Sequence, residues 1–500
     1  MEKTLLKAKR LSNTTILFLL VAPFVVFSYI VFVFNWSNAD NIFLYILLLI
    51  SDGIGIFAVM GLWFTIIFDV LIPEHHRVHE KAIDLDFVNT GKTVDVLITV
   101  AGEPLSVIEK TAIAAKNIEY QHQTFILDDS NSLEVKALCN RIGVGYLGRE
   151  VRKHAKAGNV NNGLLKISSA EFFVILDADQ VPTSKFISKL LPYMSDPKVS
   201  MVQSPQYFTN RHNFIAEGTS EAQDIFYRYV CPAKNASNSA FCVGTNMLFR
   251  RSAINEAGGI AQVSHSEDIW TSYRLHELGW KTIFVNEILA EGVAPETIPT
   301  YFKQQMRWAK GGFSMLFHRN PFTSKTLTLD QKTQYFLSNS FYLMTITIIA
   351  YLFFPLIYLL FGIKPLQTEG SVVWLLHYVP YVALYYSLSW LLLGNIKISM
   401  ISVSISSFYP YLLAFISTFK GGKDEWIATT SRNRKIEPLM KWVWPHVFIV
   451  ILTLFSLVIG WYNPIEFWTT LFYSLLACWN LYLLVIFIMS GQIHNKKTHV

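Results

Sequence analysis

Residues 14–34 run for about twenty positions without a charge, the length a helix needs to cross the hydrocarbon core of a bilayer. In lipid such a segment must satisfy its own backbone, so it spans as a helix, and this constrains the chain before any other residue is considered. Comparable runs recur at 42–72, 338–361, 374–393, 443–461 and 467–489. They raise the hydrophobic content to 52%, above ordinary soluble usage, and the excess is segregated at the two ends. The middle, 92–330, has the mixed composition of a soluble domain and reads as one inserted between membrane segments.

Charge sets the orientation. Lys3, Lys7, Lys9 and Arg10 precede the first run and place the N-terminus inside. The run is long for a signal-peptide core and lacks a clear small-residue cleavage site, so it is read as a transmembrane helix. The connector 35–41 carries no Lys or Arg and belongs outside. Segment 42–72 returns, with Asp52 near its start and Gly53 and Gly55 marking a place for close helix packing. Glu74-His75-His76-Arg77 then reads as a solvated turn at the inner face, since further metal ligands are lacking nearby. A net charge of +6, concentrated at segment ends, suits a membrane orientation signal and not nucleic-acid binding. Cys139, Cys231, Cys242 and Cys478 have no metal-ligand spacing and are expected as reduced thiols in a cytosol-facing protein.

Past the central domain, 319–337 mixes apolar and polar residues and is expected in the interface. Segment 398–419 is apolar enough to span but is rich in Ser and interrupted by Pro410. Parity decides it: the following 420–441 holds Lys420, Lys423, Arg432, Arg434, Lys435 and Lys441 and belongs inside, so 398–419 must lie flat as an interface helix. Six spans result, with the Lys496-Lys497 tail in the cytosol and no soluble regulatory domain expected after it. The expected division is a membrane region of two helices at 1–91, a cytosolic domain at 92–330, and a membrane region of four helices at 331–500.

Within the domain, Phe172 to Leu176 is a continuous apolar run that stops at Asp177-Ala178-Asp179, as a doubly buried strand ending in two carboxylates. The run 94–100 is a second such strand, turned by Gly102-Glu103-Pro104 into a helix at 105–118, and 124–127 is a third, ending in Asp128-Asp129-Ser130. Strand, helix, strand in this rhythm predicts an α/β domain with a parallel sheet whose carboxyl-end loops share one crevice, where ligands bind in open α/β sheets. A single acidic strand end is commonly a solvated turn. Glu103, Asp128, Asp129, Asp177 and Asp179 at three such ends point instead to a seat for a hard divalent cation and nucleotide phosphates. Between them, His154 to Gly163 offers Lys156, Gly158 and the short amides Asn159, Asn161 and Asn162 ahead of a helix, suited to phosphate or ribose contacts. It does not fit a Walker loop, so ATP hydrolysis is not indicated.

The order acid pair, K-A-G-N-x-N, D-A-D, S-E-D and Q-x-x-R-W resembles the processive inverting glycosyltransferases of family 2, the group of cellulose, hyaluronan and chitin synthases. The resemblance covers 93–330 and extends into the flanking helices. It implies a Rossmann-like glycosyltransferase A-type fold and gives roles to residues. Asp128 or Asp129 would contact uracil and ribose, Glu103, Lys156 and Asn159 would help hold the donor, and Asp177 with Asp179 would seat the diphosphate and a Mg2+ or Mn2+ ion. Ser266-Glu267-Asp268 resembles T-E-D, whose last Asp is the base, and a carboxylate that takes the acceptor hydroxyl proton is what direct displacement at an anomeric carbon requires. Gln304-Gln305-Met306-Arg307-Trp308 matches Q-x-x-R-W: Arg307 can bind the diphosphate, while Gln304 and the flat face of Trp308 suit an acceptor sugar.

Phe241-Cys242-Val243-Gly244-Thr245 resembles the acceptor-lining F-F-C-G-S, departing at its second, third and last places, and Glu267 is assigned with Phe241, Gly244 and Thr245 to the acceptor side. Val100-Ala101-Gly102-Glu103 keeps only the Glu of T-Y-N-E, so the wall of the uracil pocket is built differently. In the loop 420–441, Trp426 to Thr429 resembles the start of a gating loop but lacks the Lys that usually follows.

The resemblance therefore implies a plasma-membrane enzyme that takes UDP-glucose, extends a β-1,4 or mixed β-1,3/1,4 glucan and passes it through its own helices. Its partners would be the UDP-sugar donor, the growing polysaccharide and the bilayer. The alternatives are another β-glycan synthase, of hyaluronan, chitin or β-1,3-glucan type, a transferase that loads one sugar onto a polyprenyl phosphate, and a transporter or scaffold with a degenerate domain. The last would be expected to lack an essential acid, yet Asp177, Asp179 and Asp268 are all present.

Overall fold

The computed structural model describes residues 12–71, 83–262, 266–367, 371–420, 438–462 and 464–497. Glu74 to Arg77, His265 and the gating-like residues Trp426 and Thr429 lie outside the described residues.

The α/β domain is built on a seven-stranded sheet of order β3-β2-β1-β4-β8-β6-β9. Its strands are β1 (Val94–Val100), β2 (Gln123–Asp128), β3 (Gly145–Gly148), β4 (Phe172–Asp177), β6 (Val199–Gln203), β8 (Met247–Arg250) and β9 (Lys281–Phe284). A small sheet of β5 (Val181–Pro182), β7 (Tyr207–Phe208) and β10 (Ala290–Gly292) stands apart from it. The apolar runs do what their lack of alternation implies. Val96, Ile98, Val174 and Leu176 enter the core on one face, and Leu97, Phe173 and Ile175 enter that on the other.

Register places the acids. Thr99 of β1 pairs with Asp177 of β4, and Val100 with Asp128 of β2, so the two acidic strand ends lie level on one edge. The sheet is mixed, however, and not parallel throughout as the strand–helix rhythm predicts. β8 runs antiparallel to both β4 and β6. The reversal has a functional consequence: β8 presents its beginning at the acidic edge, so the 241–246 segment, which precedes it, reaches the same crevice as the ends of β1, β2 and β4.

Among the described residues, six helical stretches are long and apolar enough to cross a membrane: Asn13–Val33, Ile42–Ile67, Leu329–Phe361, Ile398–Lys420, Leu439–Tyr462 and Phe467–Gly491. A further helix, Ser371–Leu393, covers the expected fourth span. The segment expected to be one interface helix at 398–419 is two helices, Ile398–Ser406 and Phe408–Lys420, broken at Ser407. The break suits its neighbours. Ser407 Oγ is 2.7 Å from the hydroxyl of Tyr301, on helix Ile298–His318, and Tyr411 donates to Gln305 of that helix at 2.9 Å. Ahead of the break, the backbone of Ser399 lies against Gly218 of helix Phe214–Ile225, where a Cβ would meet the Ser399 carbonyl oxygen at 2.4 Å. Lys397 bridges to Glu217 at 2.8 Å and Glu221 at 3.2 Å, and Ser399 donates to Glu217 at 2.7 Å.

Candidate active site

Several segments distant in sequence meet at the acidic edge. Asp177, the last residue of β4, is fixed from two sides: its N–H donates to Thr245 Oγ1 at 2.9 Å, and Thr99 Oγ1 donates to its Oδ1 at 3.2 Å. Lys156, in the first turn of helix Ala155–Lys166, donates to Asp177 Oδ1 and to the Gly244 carbonyl at 2.5 Å. Burial disfavours the Lys156 ammonium, but Asp177, Glu267 and Asp268 outweigh it and hold the pKa above the usual lysine range.

Gly244 is the hinge of the arrangement. Its φ of 95° lies where a side chain is strained, and a Cβ there would stand 3.3 Å from Asp268 Oδ2. The glycine thus offers its carbonyl to Lys156 and its bare α-carbon to Asp268. The loop around it is held by Gln203 at the end of β6, which donates to Phe241 O at 2.6 Å and accepts from Val243 N–H at 3.1 Å. Cys242 N–H donates to Ser272 Oγ at 2.6 Å, tying the loop to the helix Glu267–Glu277 that begins with the acid pair.

That helix carries Glu267 and Asp268 in its first turn, where the helix dipole favours negative charge. Burial pushes Glu267 up to about 7, the neighbouring Asp268 adding to the shift and Lys156 and Arg307 opposing it. Asp268 is also raised by burial, against its bond from Ile269 N–H and the same two cations. Just past the end of β4, burial, then Asp177, then Glu103 raise Asp179 to about 7. Burial pushes Glu103 up to about 7 against a 2.6 Å bond from Ala101 N–H, with Asp177 and Asp128 adding to it. Three carboxyls near neutrality in one crevice is the signature of acids crowded to receive a cation or a proton.

Helix Ile298–His318, started by a Thr297–Thr300 capping box, runs past this group. Gly311 lets it approach: a Cβ there would lie 1.8 Å from Ser266 Oγ and 2.4 Å from Ser266 Cβ. The approach keeps Arg307 within electrostatic reach of Glu267 and Asp268. Trp308 is half-buried, and Gln304 is buried with its Oε1 unpartnered among the described residues.

Several residues expected to touch ligand have their side chains engaged within the protein. Asp128 accepts at one oxygen from Ser130 N–H (2.8 Å) and Ser130 Oγ (2.5 Å), and at the other from Ser132 N–H (2.7 Å) and Tyr146 OH (3.1 Å). Asp129 forms a two-pronged pair with Arg149, both residues buried, and burial still raises its pKa against that partner. Asn159 donates to Leu127 O at 2.8 Å and anchors its helix to β2. Phe241 packs on Phe226 and Tyr335, with the Lys234 ammonium over its ring, and Thr245 holds Asp177. All five side chains thus have partners within the protein. Arg149, Thr99, Gln203 and Gly311 carry weight that the sequence reading did not assign. For Gly311 there was a signal, a glycine pair one turn beyond Arg307-Trp308. Among the described residues no three His, Cys, Asp or Glu side chains gather as a metal site, and none of the four cysteines is paired.

The site's frame is thus a Rossmann-like sheet with acids level at one edge and a second acid pair at the start of a facing helix. Residues 172–393 match the family described as glycosyl transferase family group 2. The chain is similar to the UDP-forming cellulose synthase catalytic subunit of Pseudomonas fluorescens (strain SBW25), 30% identical over 290 residues, 56% of this chain and 39% of that protein. It is also similar to the cellulose synthase 1 catalytic subunit of Komagataeibacter xylinus, 31% identical over 279 residues, 54% of this chain and 37% of that protein. The matches thus span less than half the length of either relative. The mannosyltransferase PcManGT from Pyrobaculum calidifontis, solved with GDP-Man and Mn2+, superposes with a TM-score of 0.51 at 14% identity, covering 75% of this chain and 97% of that one. That likeness speaks to the fold, which is glycosyltransferase A-type. Over the matched part the chain is thus similar both to the family 2 glycosyl transferase model and to cellulose synthase catalytic subunits.

Proposed function

We propose that this chain is a processive, inverting glycosyltransferase that polymerises a β-linked glucan from UDP-glucose and passes it across the membrane. The observation that carries the reading is the convergence on Gly244, which sets Lys156 and Asp177 on one side and Asp268 on the other within a single residue's reach. The donor diphosphate then lies over Lys156 and Asp177 with Arg307 opposite. Asp268 takes the proton from the acceptor hydroxyl as its oxygen attacks the anomeric carbon, and the bond from that carbon to the diphosphate oxygen breaks on the far side, so an α-linked donor gives a β-linked product.

Asp177 and Asp179 would hold Mg2+ or Mn2+, which would offset charge on the departing diphosphate. Two protein carboxylates fit an ion that completes its shell with substrate phosphate and water, and crowding that leaves Asp179 near neutrality is what a cation relieves. Glu103 completes the donor side. Asp128, Asp129 and Asn159 act by shaping it. Glu267, Gln304 and Trp308 form the acceptor side, with Phe241, Gly244 and Thr245 as its wall. We assign 1–91 and 331–500 to the membrane, 92–330 to the cytosolic domain at the plasma membrane, and the two helices of 398–419 to its inner face. Their contacts with helices Phe214–Ile225 and Ile298–His318 support that placement.

Purified protein in proteoliposomes with Mg2+ and UDP-glucose, UDP-GlcNAc or UDP-GlcUA tests the reading, with product digested by linkage-specific glucanases. A glucanase-sensitive polymer from UDP-glucose that EDTA suppresses is expected. No polymer from any donor refutes it.

A further inference from the structure

Immediately before Lys156 the backbone takes a course that side chains resist. His154 and Ala155 both have positive φ, 61° and 40°, in succession. For residues bearing a Cβ this left-handed region is sterically disfavoured, and such geometry persists where the surroundings over-determine it. Here the surroundings are one guanidinium. Arg149 Nη1 donates to the Lys153 carbonyl at 2.8 Å, and Nη2 donates to the Ala155 carbonyl at 2.5 Å. The two carbonyls flank the left-handed pair, so the fork fixes the distance across it.

The other edge of the same fork is anchored in the sheet. Nε and Nη2 engage the two oxygens of Asp129, which follows directly on β2, the Nη2 bond measuring 2.9 Å. Gly158 leaves room for this: a Cβ there would fall 2.1 Å from the Lys153 carbonyl oxygen and 2.7 Å from Arg149 Nη1. A planar group with five fixed donors can span an acid and two carbonyls at once, whereas an ammonium cannot. What the turn delivers is the start of helix Ala155–Lys166, with Lys156 aimed across the crevice at Asp177 and Gly244.

We propose that Arg149 is a positioning residue for Lys156: paired to Asp129, it clamps the strained turn at His154 and Ala155 and so holds the Lys156 ammonium where a donor diphosphate binds. The inference rests on the donor role of Lys156, and the test separates the two. UDP affinity in the presence of Mg2+ is measured on the full chain in detergent, together with hydrogen exchange of the 150–158 amides. Arg149→Gln is expected to weaken UDP binding at least tenfold and to speed exchange in that segment.

Glycine accepts positive φ freely, so adding His154→Gly and Ala155→Gly to Arg149→Gln is expected to restore much of the affinity. In a Lys156→Met background, Arg149→Gln is expected to add no further loss. Should Arg149→Gln not fold, Arg149→Lys serves instead, since it keeps the charge beside Asp129 but loses the fork, and the same tenfold loss is expected. Unchanged UDP affinity, an equal loss in the Lys156→Met background, or failure of the glycines to restore binding overturns the proposal. If the unaltered protein does not bind UDP while exchange still quickens in Arg149→Gln, the clamp stands and the donor role falls; if exchange does not quicken, the clamp falls as well.

Discussion

Gly311→Ala is a one-methyl change outside the acidic crevice that should disable transfer. The added Cβ would sit 2.4 Å from Ser266 Cβ and 1.8 Å from Ser266 Oγ. The hydroxyl can rotate away, but the two β-carbons cannot, and ordinary carbon contact begins near 3.5 Å, so the backbones must part by about 1 Å. That separation moves Glu267-Asp268 relative to Arg307-Trp308. A misplacement of about 1 Å between reacting groups is worth roughly a hundredfold in rate, or about 2.7 kcal/mol. Donor seating on β4 and Lys156 lies on the other side of Gly244 and should be spared.

Initial rates of glucan formation from UDP-glucose should therefore fall about a hundredfold, on the scale of that misplacement, while UDP affinity falls by less, since only the Arg307 contact to the diphosphate is displaced and those of Lys156 and Asp177 are kept. Adding Ser266→Gly should recover rate relative to Gly311→Ala alone, because the nearest remaining atom, the Ser266 α-carbon, is 3.7 Å from the new methyl. Wild-type turnover in Gly311→Ala, or no recovery in the double variant, would refute the packing argument.

Asp268→Asn should abolish transfer by a factor on the order of a thousand while UDP binding is kept; retained synthesis would move the base elsewhere. The base works deprotonated, and burial raises Asp268 above the usual aspartate range, so kcat/KM should be full at the alkaline end and fall on an acid limb displaced upward from that of an ordinary aspartate. Glu267→Gln should shift that limb to lower pH in a rate profile over pH 5.5–8.5. Asp128→Ala strips partners from two half-buried turn amides, those of Ser130 and Ser132, and from the Ser130 and Tyr146 hydroxyls, and should cost on the order of 3 kcal/mol, read as a lower thermal midpoint; an unaltered midpoint with lost UDP affinity would make Asp128 a ligand contact instead.

Much of the domain's centre was legible because burial on both faces writes itself as an unbroken apolar run. β1 occupies the residues expected of it, and β4 ends on Asp177. The farther strands were not legible, since β3, β8 and β9 are four residues each and carry no such run. β3 reads Gly-Tyr-Leu-Gly, which suggests a turn; yet a Cβ at Gly145 would fall 2.2 Å from the Phe125 ring, so glycine is what permits that pairing. The acids could be placed at strand ends, but whether each faces the crevice or a turn depends on partners distant in sequence. Asp129 meets Arg149, twenty residues on, and Tyr146 reaches Asp128 across eighteen.

The contact between Gly218 and Ser399 joins backbone to backbone without a side chain between, and Lys397 straddles the acids on either side of it. Soft joints in proteins are cushioned by side chains that can repack, and this one has no cushion. Load on the membrane arm at Ser399 is therefore passed to helix Phe214–Ile225 as from one part of a rigid frame to another. On the proposed function, a growing chain leaving such a frame would gain its advance from the sugar and the side chains it slides past, not from the rocking of one half against the other.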